Sequence, residues 1–422
     1  MNILILTARF GMGHVKAAEA VEEKLQADPR FGRVETVDFI DYLFPHISRK
    51  IYSTFNRMVF HNTELYNKAI DATDNVSLLP MKAYISWKIG RLIRQKDADG
   101  IIAIFPCCSR YVAAYKEFTG DDIPLFTCIT DIHPHGEWIA DHTDGYFAGS
   151  LETRKQLMEK GVSPDRIWVT GIPVRREFSE KKNFDASQDR GSRRLVGTAE
   201  SELEKQVART AESDPEEHAS RIAESAAGAP VHEPEARAPR ILVMGGGLGL
   251  ASDQEKLDQL LASAVRRCNA EVTVVCGSNA ERKAELEREH PEFRTLGFTD
   301  EVDSLMRETD LLITKPGGIT LFEAIETGTP LLFIEPELSQ EVYNARFAER
   351  HGIAKVFWSG DQATPEGLME LLRNSREMEK MESRMADLRW LYGQVSIADA
   401  IAVSAGRHHG GQGQIGELRY GY

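Results

Sequence analysis

Residues 314–324 read Thr-Lys-Pro-Gly-Gly-Ile-Thr-Leu-Phe-Glu-Ala. An apolar run ends at Thr314, and the turn Pro316-Gly317-Gly318 then opens a helical stretch. Unpaired backbone N–H groups at the positive end of such a helix make an anion site suited to a diphosphate. Glu323, nearly two turns further on, is placed to reach a ribose diol, which a carboxylate can accept from with both oxygens. Gln340 and Asn344 are four apart and share one face of the next helical stretch. Each carboxamide can donate to and accept from sugar hydroxyls. Near the N-terminus, Gly11-Met12-Gly13-His14 follows a short apolar strand. An imidazole there can take the proton from an attacking hydroxyl. The same position also suits a contact to an acceptor or phosphate, or a histidine that only bonds the backbone. A second cluster, Thr130-Asp131-Ile132-His133-Pro134-His135-Gly136-Glu137-Trp138, follows another strand-like run. Its two histidines at i, i+2 lack the spacing of a helical metal site, so no metal is expected.

The elements that must carry these residues repeat. Residues 2–7 form a β-rich run, a glycine-bearing turn follows, and a helical stretch runs to about Gln26. Residues 240–244, the turn Gly245-Gly246-Gly247-Leu248-Gly249 and a helix over about 252–267 restate the pattern. Further strand-like runs lie at 34–38, 100–104, 125–130 and 145–148, then at 271–276, 311–314 and 330–334, with helical stretches between most of them. This is an α/β chain of two Rossmann-like, doubly wound parallel-sheet domains facing each other across a cleft. The spacing predicts an N-terminal domain over 1–179, a linker or insertion over 180–239, a C-terminal domain over 240–405 and a frayed tail over 406–422. The linker is Ala/Glu-rich with few large apolar residues, and the tail is Gly/His/Gln-rich.

With GGIT-x-x-EA, Gln-x-x-x-Asn-Ala and a strand leading into GxGH, the chain resembles the diacylglycerol glycosyltransferases. That group holds the monogalactosyldiacylglycerol synthases and the bacterial processive diacylglycerol β-glucosyltransferases. They are related to the GlcNAc transferase that makes lipid II. The resemblance covers about 1–180 and 240–400. It implies a GT-B fold and an inverting transfer of hexose from UDP-glucose or UDP-galactose to diacylglycerol, giving a β-glycosyl-diacylglycerol without a cofactor or bound metal. It further implies that Gly317, Gly318 and Thr320 lie at the donor diphosphate with Lys315 among the donor contacts, Glu323 at the ribose, and Gln340 and Asn344 at the hexose. Phe298 falls where relatives hold uracil, and Gly245, Gly246 and Gly247 line the cleft floor. His14 takes the place of the family's proposed base. Asp131 would orient His14 or the acceptor hydroxyl. Gly11, Gly13, His133 and Trp138 complete the acceptor side, with Trp138 flanking the glycerol or lipid headgroup.

The remaining composition narrows the class. With 51 Lys+Arg against 65 Asp+Glu, a net charge of −14 argues against a nucleic-acid partner. Residues 46–96 reverse that sign, with nine Lys/Arg against three acids and interleaved aromatic residues. Such a stretch suits docking on an anionic membrane surface; the same apolar residues also suit the core face of helices packed on the first sheet. No export signal or membrane span is read, so the expected place is cytoplasmic, peripheral on the inner face of the cell membrane. The five cysteines form no CxxC pair. Asp97-Ala98-Asp99 spells a metal-binding DxD but precedes a strand, away from the end where open α/β sheets bind ligands. The 245–249 turn is not GxGxxG, which disfavours a dehydrogenase. The competing readings are a polyprenyl-linked or soluble acceptor, a UDP-sugar 2-epimerase and a non-enzymatic nucleotide-sugar sensor.

Overall fold

The computed structural model describes residues 1–61, 79–179, 237–245, 254–334, 336–358 and 364–408. Of the expected linker over 180–239, residues 180–236 lie outside these residues, as do residues 409–422 of the expected tail over 406–422.

The N-terminal sheet comprises β1 (Ile3–Thr7), β2 (Val34–Asp38), β3 (Gly100–Ala103), β4 (Leu125–Cys128), β5 (Gly145–Ala148) and β6 (Ile167–Val169). The C-terminal sheet comprises β7 (Arg240–Met244), β8 (Glu271–Val275), β9 (Arg294–Leu296), β10 (Leu311–Thr314), β11 (Leu331–Ile334) and β12 (Ala354–Phe357). Every pairing is parallel, in the orders β2-β1-β3-β4-β5-β6 and β12-β11-β10-β7-β8-β9. Two doubly wound domains were expected, and two are found. Strands β6, β9 and β12 were not read in the sequence.

Alternation along β1 shows why these runs are strands. Ile3 and Ile5 face one core with Ala17, Val21 and Leu25, while Leu4 and Leu6 face the other with Ile89, Ile101 and Val112. A strand buried on both faces must be apolar throughout, as β1 is. The helices of the first lobe are α1 (Met12–Gln26), α2 (Phe39–Leu43), α3 (Ser48–His61), α4 (Lys82–Lys96), α5 (Pro106–Thr119), α6 (Leu151–Glu159) and α7 (Arg176–Ser179). Those of the second are α8 (Gln254–Cys268), α9 (Ala280–Glu289), α10 (Val302–Arg307), α11 (Gly318–Thr327), α12 (Ser339–Arg350), α13 (Pro365–Arg373), α14 (Ser375–Tyr392) and α15 (Ile397–His408). Helix α15 packs against α1 and β5 of the first lobe, and Arg30 pairs with Asp399 at 2.8 Å. The last described helix of the chain thus packs on the first lobe.

The order of each sheet reverses between β1 and β3 and between β7 and β10, the switch points where doubly wound sheets bind ligands. The turn bearing His14 leaves β1, and the turn bearing Gly317 and Gly318 leaves β10. A Cβ on Gly318 would stand 2.2 Å from the Thr130 carbonyl oxygen, so the lobes approach there as only glycine permits. One on Gly317, at φ −70°, would meet nothing nearer than Thr320 Oγ1 at 4.0 Å. Gly318→Ala is therefore expected to lose about 1–3 kcal/mol of stability, because the obstacle is backbone that cannot turn aside. Gly317→Ala should stay within about 0.5 kcal/mol of wild type. Urea unfolding of both variants checks this, and equal stabilities would contradict it.

Candidate active site

On the first lobe, Gly11 caps α1 with φ +84°, a conformation that favours glycine, and so turns the chain sharply from β1 into the helix. Gly13 lies against Ile319 of the second lobe, with 3.5 Å between its would-be Cβ and Ile319 Cγ1. His14 follows in the first turn of α1. Its Nδ1 shares a 2.9 Å hydrogen bond with the Thr130 hydroxyl, Phe105 meets it edge-on at 5.1 Å, and Trp138 lies 6.0 Å away. Burial, and then the neighbouring His135, lower its pKa to about 4, against a pull in the other direction from the Ile104 carbonyl. At neutral pH the ring is uncharged and one nitrogen carries a lone pair.

Asp131 was expected to orient His14 or the acceptor hydroxyl. The first half of that expectation is corrected: Thr130 occupies Nδ1. No hydrogen bond or ion pair among the described residues engages the Asp131 carboxylate, and burial alone raises its pKa to about 7. His133 bonds Gln156 through Nδ1 and stacks on Tyr343 of α12, with centroids 4.0 Å apart and planes 11° apart. Its expected place beside the acceptor becomes a contact between lobes. Trp138 is also corrected. It is 0% exposed and packs with Ile129, Tyr146, Ala148, Leu157 and Ile167, so it is core and not an acceptor surface.

On the second lobe, α11 starts at Gly318 with Gly317 as its cap, and no side chain caps the first turn. Lys315, Gly317 and Thr320 are partly exposed at this helix start. Glu323 is only 7% exposed, and burial raises its pKa to about 7 despite Arg175 and Lys16 nearby. Arg175 and Lys16 belong to the first lobe and were not singled out in the sequence. Asn344 was expected at the hexose. It is 1% exposed, accepts from the Ile132 N–H at 3.2 Å and donates to the Pro316 carbonyl at 2.9 Å. In this conformation both ends of its carboxamide are engaged by protein, one end across the lobes. Gln340, one turn before it, is half-buried. Phe298, 73% exposed on the turn after β9, presents its ring to solvent, and Gly245 ends β7. Gly246 and Gly247 lie outside the described residues.

Asp97 ends α4 in the left-handed region, and the Asp99 carboxylate accepts from the Asn2 N–H at 2.7 Å. This DxD therefore sits at the amino end of β3, opposite the switch point. Among the described residues, no group of three or more His, Cys, Asp or Glu side chains is arranged to hold a metal ion.

The basic stretch divides. Tyr52 and Phe55 of α3 pack inward on Phe10, and Ile85 is core. Met81, Tyr84 and Trp87 on and beside α4 are exposed, Trp87 by 56%. Phe118 of α5 is exposed beside Glu117, which pairs with Lys82 at 2.7 Å. The rest of the stretch, 62–78, lies outside the described residues.

Residues 14–174 match the family model for monogalactosyldiacylglycerol (MGDG) synthase, and residues 240–401 match the C-terminal domain of glycosyltransferase family 28. Among curated relatives, the processive diacylglycerol β-glucosyltransferase of Bacillus licheniformis is 27% identical over 409 residues, covering 92% of this chain and 91% of the relative. That of Bacillus cytotoxicus is 28% identical over 419 residues, covering 95% and 93%. Among solved structures, MurG of Acinetobacter baumannii aligns with a TM-score of 0.51 at 14% identity, over 96% of this chain and 98% of that one. The UDP-GlcNAc 2-epimerase of Neisseria meningitidis bound to UDP-GlcNAc aligns with a TM-score of 0.53 at 12% identity, over 97% and 100%. These two likenesses speak for the fold alone.

Glu323 carries a stability signature. Its folded pKa of about 7 exceeds its ordinary 4.5, so ionisation opposes folding, and stability falls as pH rises from 4.5 through 7. Glu323→Gln is expected to melt higher than wild type at pH 8, by at most about 3 kcal/mol. The gain should shrink toward pH 5. A gain independent of pH, read by thermal unfolding, would show that the carboxylate is not the cause.

Proposed function

This chain belongs to the GT-B glycosyltransferases that act on diacylglycerol and related glycolipids, and from that membership we propose how its residues carry out the transfer. It is an inverting UDP-sugar-dependent transferase that moves a hexose to diacylglycerol. The observation that carries the mechanism is the meeting of His14 with the start of α11 across Thr130.

The donor diphosphate lies at the free N–H groups of Gly318, Ile319 and Thr320, with Lys315 alongside. Glu323 receives the ribose hydroxyls, and Phe298 flanks the base. The glycerol hydroxyl approaches from the Gly11–Gly13 turn. Its oxygen forms a bond to the anomeric carbon as the bond from that carbon to the β-phosphate oxygen breaks, leaving the electron pair on UDP. His14 takes the hydroxyl proton. A resting pKa of about 4 keeps the base free of protons at neutral pH, and the anionic diphosphate raises it toward the range where proton transfer is efficient. Helix-end N–H groups stabilise the departing charge.

No described helix is long and apolar enough to cross a membrane. We place the meeting with the lipid at the exposed Met81, Tyr84, Trp87 and Phe118, beside the Lys82 and Lys88 cations. The enzyme docks there on an anionic leaflet, and its acceptor diffuses to the cleft within that leaflet.

Two measurements test this. Purified protein is expected to release UDP from UDP-glucose, the sugar of the relatives' names, only when vesicles contain diacylglycerol, with EDTA present. His14→Ala should cut turnover by about 10²-fold or more while UDP still binds; wild-type turnover in that variant removes His14 as the base. Trp87→Ser should weaken co-sedimentation with anionic vesicles by about tenfold or more, from the lost burial of one large side chain. High salt should weaken the remainder. Undiminished binding would place the docking surface elsewhere.

A further inference from the structure

Thr130 touches both halves of the proposed reaction. Its hydroxyl holds His14 Nδ1 at 2.9 Å, and its carbonyl lies where a side chain on Gly318 would have to be. It is buried, 4% exposed, so no bulk water competes for that hydroxyl. Two residues on, the Ile132 N–H donates to Asn344, so the strip 130–132 meets both helices that follow β10 and β11.

A threonine hydroxyl has one hydrogen to give and two lone pairs to receive with. If that hydrogen goes to Nδ1, the neutral imidazole carries its own proton on Nε2 and has no lone pair left for an incoming hydroxyl. If Nδ1 carries the proton and donates to the Thr130 oxygen, Nε2 is the free base and the hydroxyl hydrogen is left to find another acceptor. Besides His14, the described residues offer Thr130 Oγ1 no hydrogen-bond partner. A phosphate oxygen at the start of α11 is such an acceptor.

We propose that Thr130 is a positioning residue that couples donor binding to the base. When the diphosphate occupies the α11 start, the hydroxyl turns its hydrogen to a phosphate oxygen, accepts from His14 Nδ1–H and leaves Nε2 as the proton acceptor. Without an anion there, the hydroxyl donates to Nδ1, the ring proton stays on Nε2 with the Ile104 carbonyl beside the ring to accept it, and His14 rests in the tautomer that cannot serve as base. The imidazole proton moves between its nitrogens through solvent with no net gain or loss. The device arms the base only when the donor is in place. It rests on the reading of His14 as base and of α11 as the diphosphate site.

The test combines kinetics with nitrogen NMR of histidine-labelled protein, using UDP as the probe. Adding UDP to wild type is expected to move the neutral His14 signal from the Nε2–H to the Nδ1–H pattern, with His14→Asn assigning the signal. Thr130→Val, of nearly the same shape, should lower kcat with UDP-glucose and diacylglycerol vesicles by about 10- to 100-fold. Its KM for UDP-glucose should rise by about tenfold at most, the loss of one hydrogen bond to the phosphate, since the α11 donors stay in place. Thr130→Ser should restore kcat to within about threefold, since it restores the hydroxyl. An unchanged tautomer pattern on adding UDP that binds, or wild-type kcat in Thr130→Val beside an inactive His14→Asn, overturns the coupling and leaves the base in place. Full turnover in His14→Asn overturns the base reading itself, and the coupling with it.

Discussion

The contact on which the rest of the site depends is the approach of the Thr130 carbonyl to Gly318. A side chain at 318 would stand 2.2 Å from that oxygen, so the two lobes can meet this closely only over a bare α-carbon. Around that point the other contacts between lobes fall into place. Asn344 ties Ile132 to the Pro316 turn, His133 stacks on Tyr343, and His351 pairs with Glu152 at 2.8 Å. Each alone is a modest interaction. Together they hold the carboxyl end of β4 against the starts of α11 and α12, which brings the first lobe's histidine to the second lobe's helix end.

Closeness has an electrostatic consequence. The lobe contact buries Glu323 and partly buries His14 and Asp131, and their shifts follow first from that loss of hydration. The base is pushed down to about 4, and both carboxyls are pushed up to about 7. Near neutral pH the imidazole is thereby uncharged and the two carboxyls are only partly ionised. A cleft that desolvates these groups also desolvates a diphosphate, and the unsatisfied N–H groups of α11, with Lys315 beside them, are the dipoles and charge that would answer it. The same desolvation strengthens every interaction the diphosphate then makes. An arriving anion reverses part of the shift on His14 and opposes ionisation of Glu323, so donor binding and protonation are linked in both directions.

The fold was largely legible, and the site was legible in part, for reasons that can be named. Strands such as β1 and β10 are apolar on both faces and end in glycine turns, which leaves few alternatives. Strands β6, β9 and β12 are three or four residues long and mix in Lys, Arg and Trp, so no periodicity sets them apart. Helix α15 shows an apolar face in its sequence, but nothing local says that the face belongs to the opposite lobe. Residue type and spacing put Glu323 and Asn344 on the correct helices, because a count of four fixes a helical face. What such a count does not contain is the other lobe. Asn344 was assigned to sugar because amides suit hydroxyls, and the facing Ile132 N–H offers it the same chemistry. Trp138 was placed beside the glycerol or lipid headgroup by the resemblance; a single 3-10 turn, Gly136–Trp138, puts it in the core. Thr130 was passed over as the polar end of a strand, and only the fold brings His14 to it.

One further dependence joins the site to the basic stretch. Phe10, on the loop that delivers His14, packs against Tyr52 at 4.9 Å, Phe55 at 4.7 Å and Phe105 at 5.1 Å, and Phe105 in turn meets His14. The Tyr52 hydroxyl donates to Asp38 at 2.6 Å and accepts from the Arg9 N–H at 3.2 Å, while Arg9 itself pairs with Asp38 and Asp41. Helix α3 therefore serves the cleft through its inward face, and α4 with α5 presents the exposed apolar residues beside it. The core-face reading of the 46–96 stretch holds for Tyr52, Phe55 and Ile85, while Met81, Tyr84 and Trp87 stay exposed and are the residues available to the proposed docking face. If the proposed docking holds, a segment that props the histidine loop from one side would meet lipid a helix away, and the acceptor's point of arrival would be tied to its point of reaction. The aromatic residues of the segment thus divide by helix: Tyr52 and Phe55 of α3 turn inward to the loop that carries His14, and Tyr84 and Trp87 of α4 stay exposed among its cations.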